Sequence, residues 1–253
     1  TYLNVNSEGF IDLNELEEAI RPDTLLVAIM FVNNEIGVIQ PMEAISELCS
    51  KNDCLFFTDA TQAVGKVPVD FQTLNLGMMC LSAHKFGGPK GAGALIVKSG
   101  IELVPLIHGG GHENGFRSGT LNVPGIVGLG KAAEVSSEIE QKLTAANDAY
   151  KRLLVSIEAS EGVSIVGPKD TKMRSPYIIS LALKDQDADV FIEKHANEFS
   201  LSTGSACNAR ILEPSHVMTA LFDESKLEHG TIRSSFFPRD SNIGVDQLIM
   251  GIS

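Results

Sequence analysis

The sequence predicts an α/β fold: a larger domain built on a mostly parallel sheet, followed by a smaller α+β domain. Three observations carry this reading. Short, continuous apolar runs alternate with amphipathic helical stretches through the first half, the mark of βαβ units whose sheet is covered by helices on both faces. Asn34, Asp59 and Lys85 follow three of those runs, and in parallel sheets reactive groups gather at the carboxyl ends of the strands. Later in the chain the regular alternation gives way to separated strands and short helices.

The elements follow in order. Residues 13–20 carry Leu13, Leu16 and Ile20 on one helical face. Residues 25–32 form an unbroken apolar run, as expected of a strand buried on both sides. Residues 42–51 read as a helix, and strands are expected to end at Thr58 and Leu81, with another over 92–97. Residues 124–160 read as one long helix or two, with Ile126, Leu129, Ala133, Leu143, Leu153 and Ile157 on the apolar face. Strands are expected at 163–166, 177–183 and 231–237, and helices at 187–198, 215–222 and from about Val245. The expected domains are 1–133, part of the larger one, and 134–253, the smaller one with a cysteine-bearing loop.

Composition limits the function. With 253 residues and 43% hydrophobic content, the chain can bury a sizeable core. A net charge of −12 and the lack of any basic block argue against nucleic acid as a partner. No apolar run reaches membrane-spanning length, and no signal peptide is evident, so a cytoplasmic protein without a membrane partner is expected. Cys49, Cys54, Cys80 and Cys207 lack metal-ligand spacing and read as reduced thiols. The chain begins at Thr1 and ends within a helical pattern, so it reads as a piece of a longer protein.

Chemistry concentrates in a few segments. Lys85 sits between an apolar run, 78–81, and the glycine-rich turn Phe86-Gly87-Gly88-Pro89, a good setting for a Schiff-base lysine. Asp59 ends another apolar run, and a carboxylate facing a pyridinium nitrogen is the second group that pyridoxal phosphate (PLP) chemistry requires. The plainer alternative is a solvated lysine and a helix-capping aspartate. Cys207 leaves a strand into a loop of small residues, where a thiol is accessible as a nucleophile or is an ordinary loop cysteine. Arg233, in a strand, is either a two-pronged clamp for a substrate carboxylate or a surface charge. The glycine-rich loop from His108 to Thr120 is of the kind that holds phosphate through backbone N–H groups. Its spacing matches neither dinucleotide nor P-loop patterns, and no cluster of carboxylates or cysteines accompanies its histidines, so a metal site is discounted.

Taken together and in order, several segments resemble the cysteine desulfurases, PLP enzymes of the class V aminotransferases. They are Val32-Asn33-Asn34-Glu35-Ile36-Gly37, Asp59-Ala60-Thr61-Gln62, Ser82-Ala83-His84-Lys85, the 108–120 loop, Gly204-Ser205-Ala206-Cys207, Leu212-Glu213-Pro214-Ser215 and Thr231-Ile232-Arg233. The resemblance runs from Thr1 to about Val245. It implies the aspartate aminotransferase-like fold of PLP-dependent transferases. It also implies conversion of L-cysteine to L-alanine, with sulfur carried as a persulfide on Cys207 towards iron–sulfur cluster or thio-cofactor assembly.

The resemblance assigns roles residue by residue. Lys85, His84 and Cys207 make the catalytic set, with Lys85 as the Schiff-base lysine. Asp59 faces the pyridine nitrogen, Gln62 the phenolic oxygen, and Ser82 and His84 the phosphate. Thr120 reaches the phosphate of the other subunit in a homodimer, and Asn34 and Arg233 hold the substrate carboxylate, with Asn34 also near the cofactor. A sulfur-acceptor or scaffold protein is the implied partner. Asn114 departs from the arginine more usual in the family. The family's phosphate-binding threonine and ring-stacking histidine come from before the position of Thr1, and its scaffold-binding tail from beyond Ser253. The alternatives are a selenocysteine lyase or another PLP carbon–sulfur lyase, and a non-catalytic fragment that binds a partner.

Overall fold

Two sheets organise the chain, and a computed structural model describes them over residues 1–184, 186–197, 200–203, 215–222, 230–236 and 241–252. The first sheet holds β1 (Leu26–Ala28), β2 (Leu55–Asp59), β3 (Met78–Ser82) and β4 (Gly93–Val97), in that spatial order. β1 with β2 and β2 with β3 are parallel, while β4 returns antiparallel to β3. A parallel pair needs a long crossover, and α2 (Met42–Lys51) supplies one between β1 and β2. It buries Met42, Ile45, Ser46 and Cys49, the three- and four-residue spacing of a single helical face. The shorter α1 (Leu13–Ala19) starts where the Asp12 carboxylate accepts the Asn14 N–H at 2.8 Å. Val27, Phe56, Met79, Leu74, Leu76 and Ile45 form the core between sheet and helices.

The 25–32 run differs from its expected burial. Its hydrogen bonds to β2 extend past the short regular strand, with Ile29 N–H donating to Phe57 O and Phe31 N–H to Asp59 O. However, Leu25 and Leu26 are 78% and 40% exposed, because β1 lies at the edge of this sheet.

The second half begins with α3 (Val123–Ser136) and α4 (Ile139–Glu158). An antiparallel sheet follows in the order β5 (Val163–Ile165), β6 (Ile178–Leu183), β7 (Thr231–Ser235). α5 (Ala188–Lys194), α6 (His216–Leu221) and α7 (Ser241–Ile252) complete the described elements, α7 starting before the expected Val245. Tyr150, Leu153 and Ile157 of α4 pack with Val245 and Leu248 of α7 and with Ile179 and Leu181 of β6. α3 departs from its expected apolar face. Ile126 and Ala133 are exposed, and only Gly125 and Ala132 are buried. A helix that is apolar on nearly every side carries no periodic signal to mark the face it buries. Among the described residues no helix is long and apolar enough to cross a membrane.

Arg174 joins the two halves. Its guanidinium is fully buried and donates to Ile36 O, Val166 O, Pro168 O, Ile178 O and the Tyr150 hydroxyl, at 2.9–3.3 Å. It also lies 4.8 Å from the centre of the Tyr150 ring. Burial lowers its pKa from the usual arginine range, and Tyr150 partly offsets that.

Candidate active site

Asp59 is placed by the sheet itself. Its carbonyl accepts the Phe31 N–H at 2.9 Å on one side, and the next residue, Ala60, donates to Cys80 O at 3.0 Å on the other. The side chain is thereby fixed at the carboxyl end of β2, where one carboxylate oxygen accepts the Thr61 N–H at 2.8 Å. β3 ends at Ser82 and runs straight into a 3-10 turn, Ala83–Lys85. Ala83 O holds that turn by accepting from both Phe86 N–H (3.1 Å) and Gly88 N–H (2.8 Å). Gly87 follows with φ +93°, a conformation in which only glycine is unstrained. Lys85 therefore projects from a constrained turn beside Asp59, from adjacent parallel strands.

Between them lies a cavity of about 730 Å³ whose walls include Asn34, Asp59, Gln62, Lys66, His84, Lys85, Lys90 and Arg233. Six residues singled out from the sequence thus converge: Asn34, Asp59, Gln62, His84, Lys85 and Arg233. Ser82 adjoins them through its hydroxyl, 2.9 Å from Nδ1 of His84. Arg233 Nη1 donates to Asn34 O at 3.3 Å, so these two candidate carboxylate-binding residues touch. Thr120 is exposed and is not part of this cavity wall; the loop that carries it runs along the surface apart from Ser118, which is buried. Asn114, in that loop, has φ 55°, the left-handed region that asparagine tolerates better than most residues. Cys207 lies outside the described residues.

The sequence reading passed over Lys66 and Lys90. Lys66 follows Gln62 by four residues, the spacing of one helical turn, and its Nζ donates to Gln62 Oε1 at 2.5 Å. Burial, and then the charge of Lys85, lowers its pKa to about 8. Among the described residues, the cavity wall therefore carries Lys66, Lys85, Lys90 and Arg233 against one carboxylate, Asp59, a charge pattern suited to an anionic ligand. Two of the described thiols, Cys49 and Cys80, are poor nucleophiles. Burial, reinforced by Cys54, pushes Cys49 up to about 12, and burial followed by the charge of Asp59 raises Cys80.

The donor set fits PLP, with an amine for its aldehyde, a carboxylate for its pyridine nitrogen, an amide for its ring oxygen, and a hydroxyl and imidazole for its phosphate. Comparison with known proteins leads in the same direction. Residues 1–248 match the family model described as Aminotransferase class-V. A relative named cysteine desulfurase IscS, from Clostridium botulinum, is 39% identical over 252 residues, which are 98% of this chain and 64% of that protein. A relative of the same name from Methanosarcina thermophila is 40% identical over 250 residues, 98% of this chain and 62% of its own length. A solved structure described as a NifS-like protein has a TM-score of 0.88 at 32% identity and covers 100% of this chain and 66% of its own. The chain thus has the fold of that structure, and it spans less than two thirds of the length of the two curated relatives.

Proposed function

The chain belongs to the class V aminotransferases, and from that premise we propose that it is the core of a PLP-dependent cysteine desulfurase that converts L-cysteine to L-alanine. The observation that carries the reading is the convergence of Lys85, Asp59, Gln62, His84 and Arg233 on one cavity at the carboxyl ends of parallel strands. The relatives' name supports the substrate.

Each residue then has a task. When bound, PLP supplies an electron sink for bond cleavage in the amino acid it holds. Lys85 would supply the amine that attaches the cofactor and could move a proton at the substrate. The Asp59 carboxylate accepts the pyridine N–H and keeps that nitrogen protonated, because opposite charges at close range stabilise each other. The Gln62 amide donates to the ring oxygen. Ser82 and His84, already paired, hold the phosphate, and the nearby cations favour its charge. Arg233 grips the substrate carboxylate in a two-pronged bond, with Asn34 beside it.

The Cys207 thiolate attacks the substrate sulfur. The new S–S bond forms as the C–S bond breaks, and the carbon is protonated to leave alanine and a persulfide on Cys207. A sulfur-acceptor or scaffold protein takes the outer sulfur, for iron–sulfur cluster or thio-cofactor assembly, in the cytoplasm. The working unit is a homodimer, supported by exposed apolar side chains around the glycine loop. Val104 and Leu106 are more than 90% exposed, and Val123 and Val127 more than half. Thr120, on that surface, serves the partner's phosphate. The working division remains 1–133 for the cofactor and 134–253 for the smaller domain.

The test is spectroscopic and chemical. With PLP, the protein should gain a visible absorption band that Lys85→Ala removes. Brief exposure to L-cysteine should add one sulfur to the Cys207 peptide, seen by mass spectrometry. Cys207→Ser should keep the band but release little alanine. Retention of band and turnover by Lys85→Ala would remove the assignment. Sulfur released freely, with Cys207→Ser fully active, would favour a lyase instead.

A further inference from the structure

Lys66 has no task in the chemistry above, yet it lines the cavity and is only 6% exposed. A buried ammonium normally has a carboxylate for company. Its recorded hydrogen-bond partner is instead an uncharged amide, and the charge that faces it is another cation, Lys85. Among the described residues, the other charged and titratable groups on the cavity wall are Asp59, His84, Lys90 and Arg233. Lys66 is therefore poorly explained as an ion-pairing residue, and the fold tolerates its lowered proton affinity.

The geometry of the amide explains it better. An ammonium can only donate, so its 2.5 Å contact fixes which end of the Gln62 carboxamide it takes, namely Oε1. The NH₂ end is then the one left for the cavity. Without Lys66 the two ends are nearly equal in shape, and the amide is free to present its oxygen. A ring oxygen that carries negative charge is bound by N–H donors and repelled by a carbonyl oxygen. We propose that Lys66 is a positioning residue that orients the Gln62 carboxamide, so that its N–H donors face the ring oxygen of bound PLP. This rests on the PLP reading given above.

A double-mutant cycle in PLP binding tests it. Dissociation constants and visible absorption maxima are measured by titrating PLP into the wild type, Lys66→Met, Gln62→Leu and the double variant. Losing a hydrogen bond to a charged donor should weaken PLP binding about tenfold in Lys66→Met. Gln62→Leu should shift the absorption maximum in the same direction, and the double variant should be no weaker than Gln62→Leu alone. Lys66→Arg keeps a donor and should recover most of the affinity. If Lys66→Met costs the same factor in the Gln62→Leu background, the effects are independent and the proposal is wrong. If the wild type binds PLP with a Lys85-dependent band but Lys66→Met changes neither affinity nor band, only the role of Lys66 falls. If the wild type gains no band with PLP, the underlying reading falls with it.

Discussion

Replacing Lys66 by methionine should make the protein more stable without PLP while weakening its hold on PLP. Lys66 is charged below about pH 8 in the folded chain, compared with an ordinary value of 10.5, first because it is buried and then because Lys85 is near. Between those values the unfolded chain binds more protons than the folded one. The penalty is therefore complete below about pH 8 and is relieved as pH rises towards 10.5. At pH 7 it amounts to roughly 3 kcal/mol. Methionine fills similar space and removes the penalty, but it forfeits the charged bond to Gln62, worth about 1.5 kcal/mol. Gln62 is only half-buried, so water can replace that bond. The net expectation is a gain of about 1.5 kcal/mol at pH 7, or several degrees in melting temperature for a chain of this size.

Urea unfolding of both proteins, free of PLP, at pH 7 and again near pH 10 would measure this. The advantage of Lys66→Met should shrink at the higher pH. A variant less stable than wild type at pH 7, or a difference that does not change with pH, would refute the reasoning. Lys66 would then be a structural residue whose burial the fold needs. Opposite signs for stability and ligand affinity are what a residue kept for function at the expense of stability should give.

Three other outcomes are expected. Arg174→Met should cost about 3–5 kcal/mol in chemical denaturation, since it strands four buried carbonyls and the Tyr150 hydroxyl; a loss under about 1 kcal/mol would mean that water replaces the guanidinium. Gly37→Ala should cost about 1–3 kcal/mol, because Gly37 has φ +75° and an added Cβ would lie 2.8 Å from Ile178 O; an unchanged melting temperature would contradict this. Light scattering should give twice the chain mass, and Val104→Asp combined with Leu106→Asp should reduce it to one chain mass. A wild-type monomer that is active would overturn the shared-site proposal.

Much of the fold was legible because its signals are local. The apolar runs and the helical spacing of Met42, Ile45 and Cys49 depend on near neighbours, and so does the strand–turn–glycine setting of Lys85. The illegible parts depend on distance. Nothing near Arg174 announces burial, because Ile36 is 138 residues away and most of its contacts are carbonyls, which every residue has. Lys66 was missed because a lysine one helical turn past a polar residue ordinarily points to water. The exposure of Leu25 and Leu26 was missed because an apolar run shows that a strand can be buried but not which sheet edge it occupies.

The segment Asn33–Ile36 shows why these distant contacts matter to the site. The Asn33 carboxamide oxygen accepts the N–H groups of Glu35 and Ile36 at 2.9 and 3.0 Å, closing a tight turn. Each of the next three residues meets the second half of the chain. Asn34 O accepts from Arg233, the buried Glu35 carboxylate accepts from the Ser215 hydroxyl at 2.6 Å, and Ile36 O accepts from Arg174. Asn34 and Arg233 come from different halves, and their distance across the cavity is set by these bonds. A 1 Å error in placing a reactive group can cost a hundredfold in rate, so a change at Arg174 should reach the pair proposed to hold the substrate carboxylate, although Arg174 is not among the described residues that line the cavity. A conservative variant that folds, such as Arg174→Lys, should therefore raise the KM for an amino acid substrate more than it alters PLP affinity. The residues proposed for the cofactor, Asp59, Gln62 and Lys85, belong to the first sheet and its turns, whereas Arg174 meets the first half of the chain at Ile36 and, through a backbone bridge, at Val38.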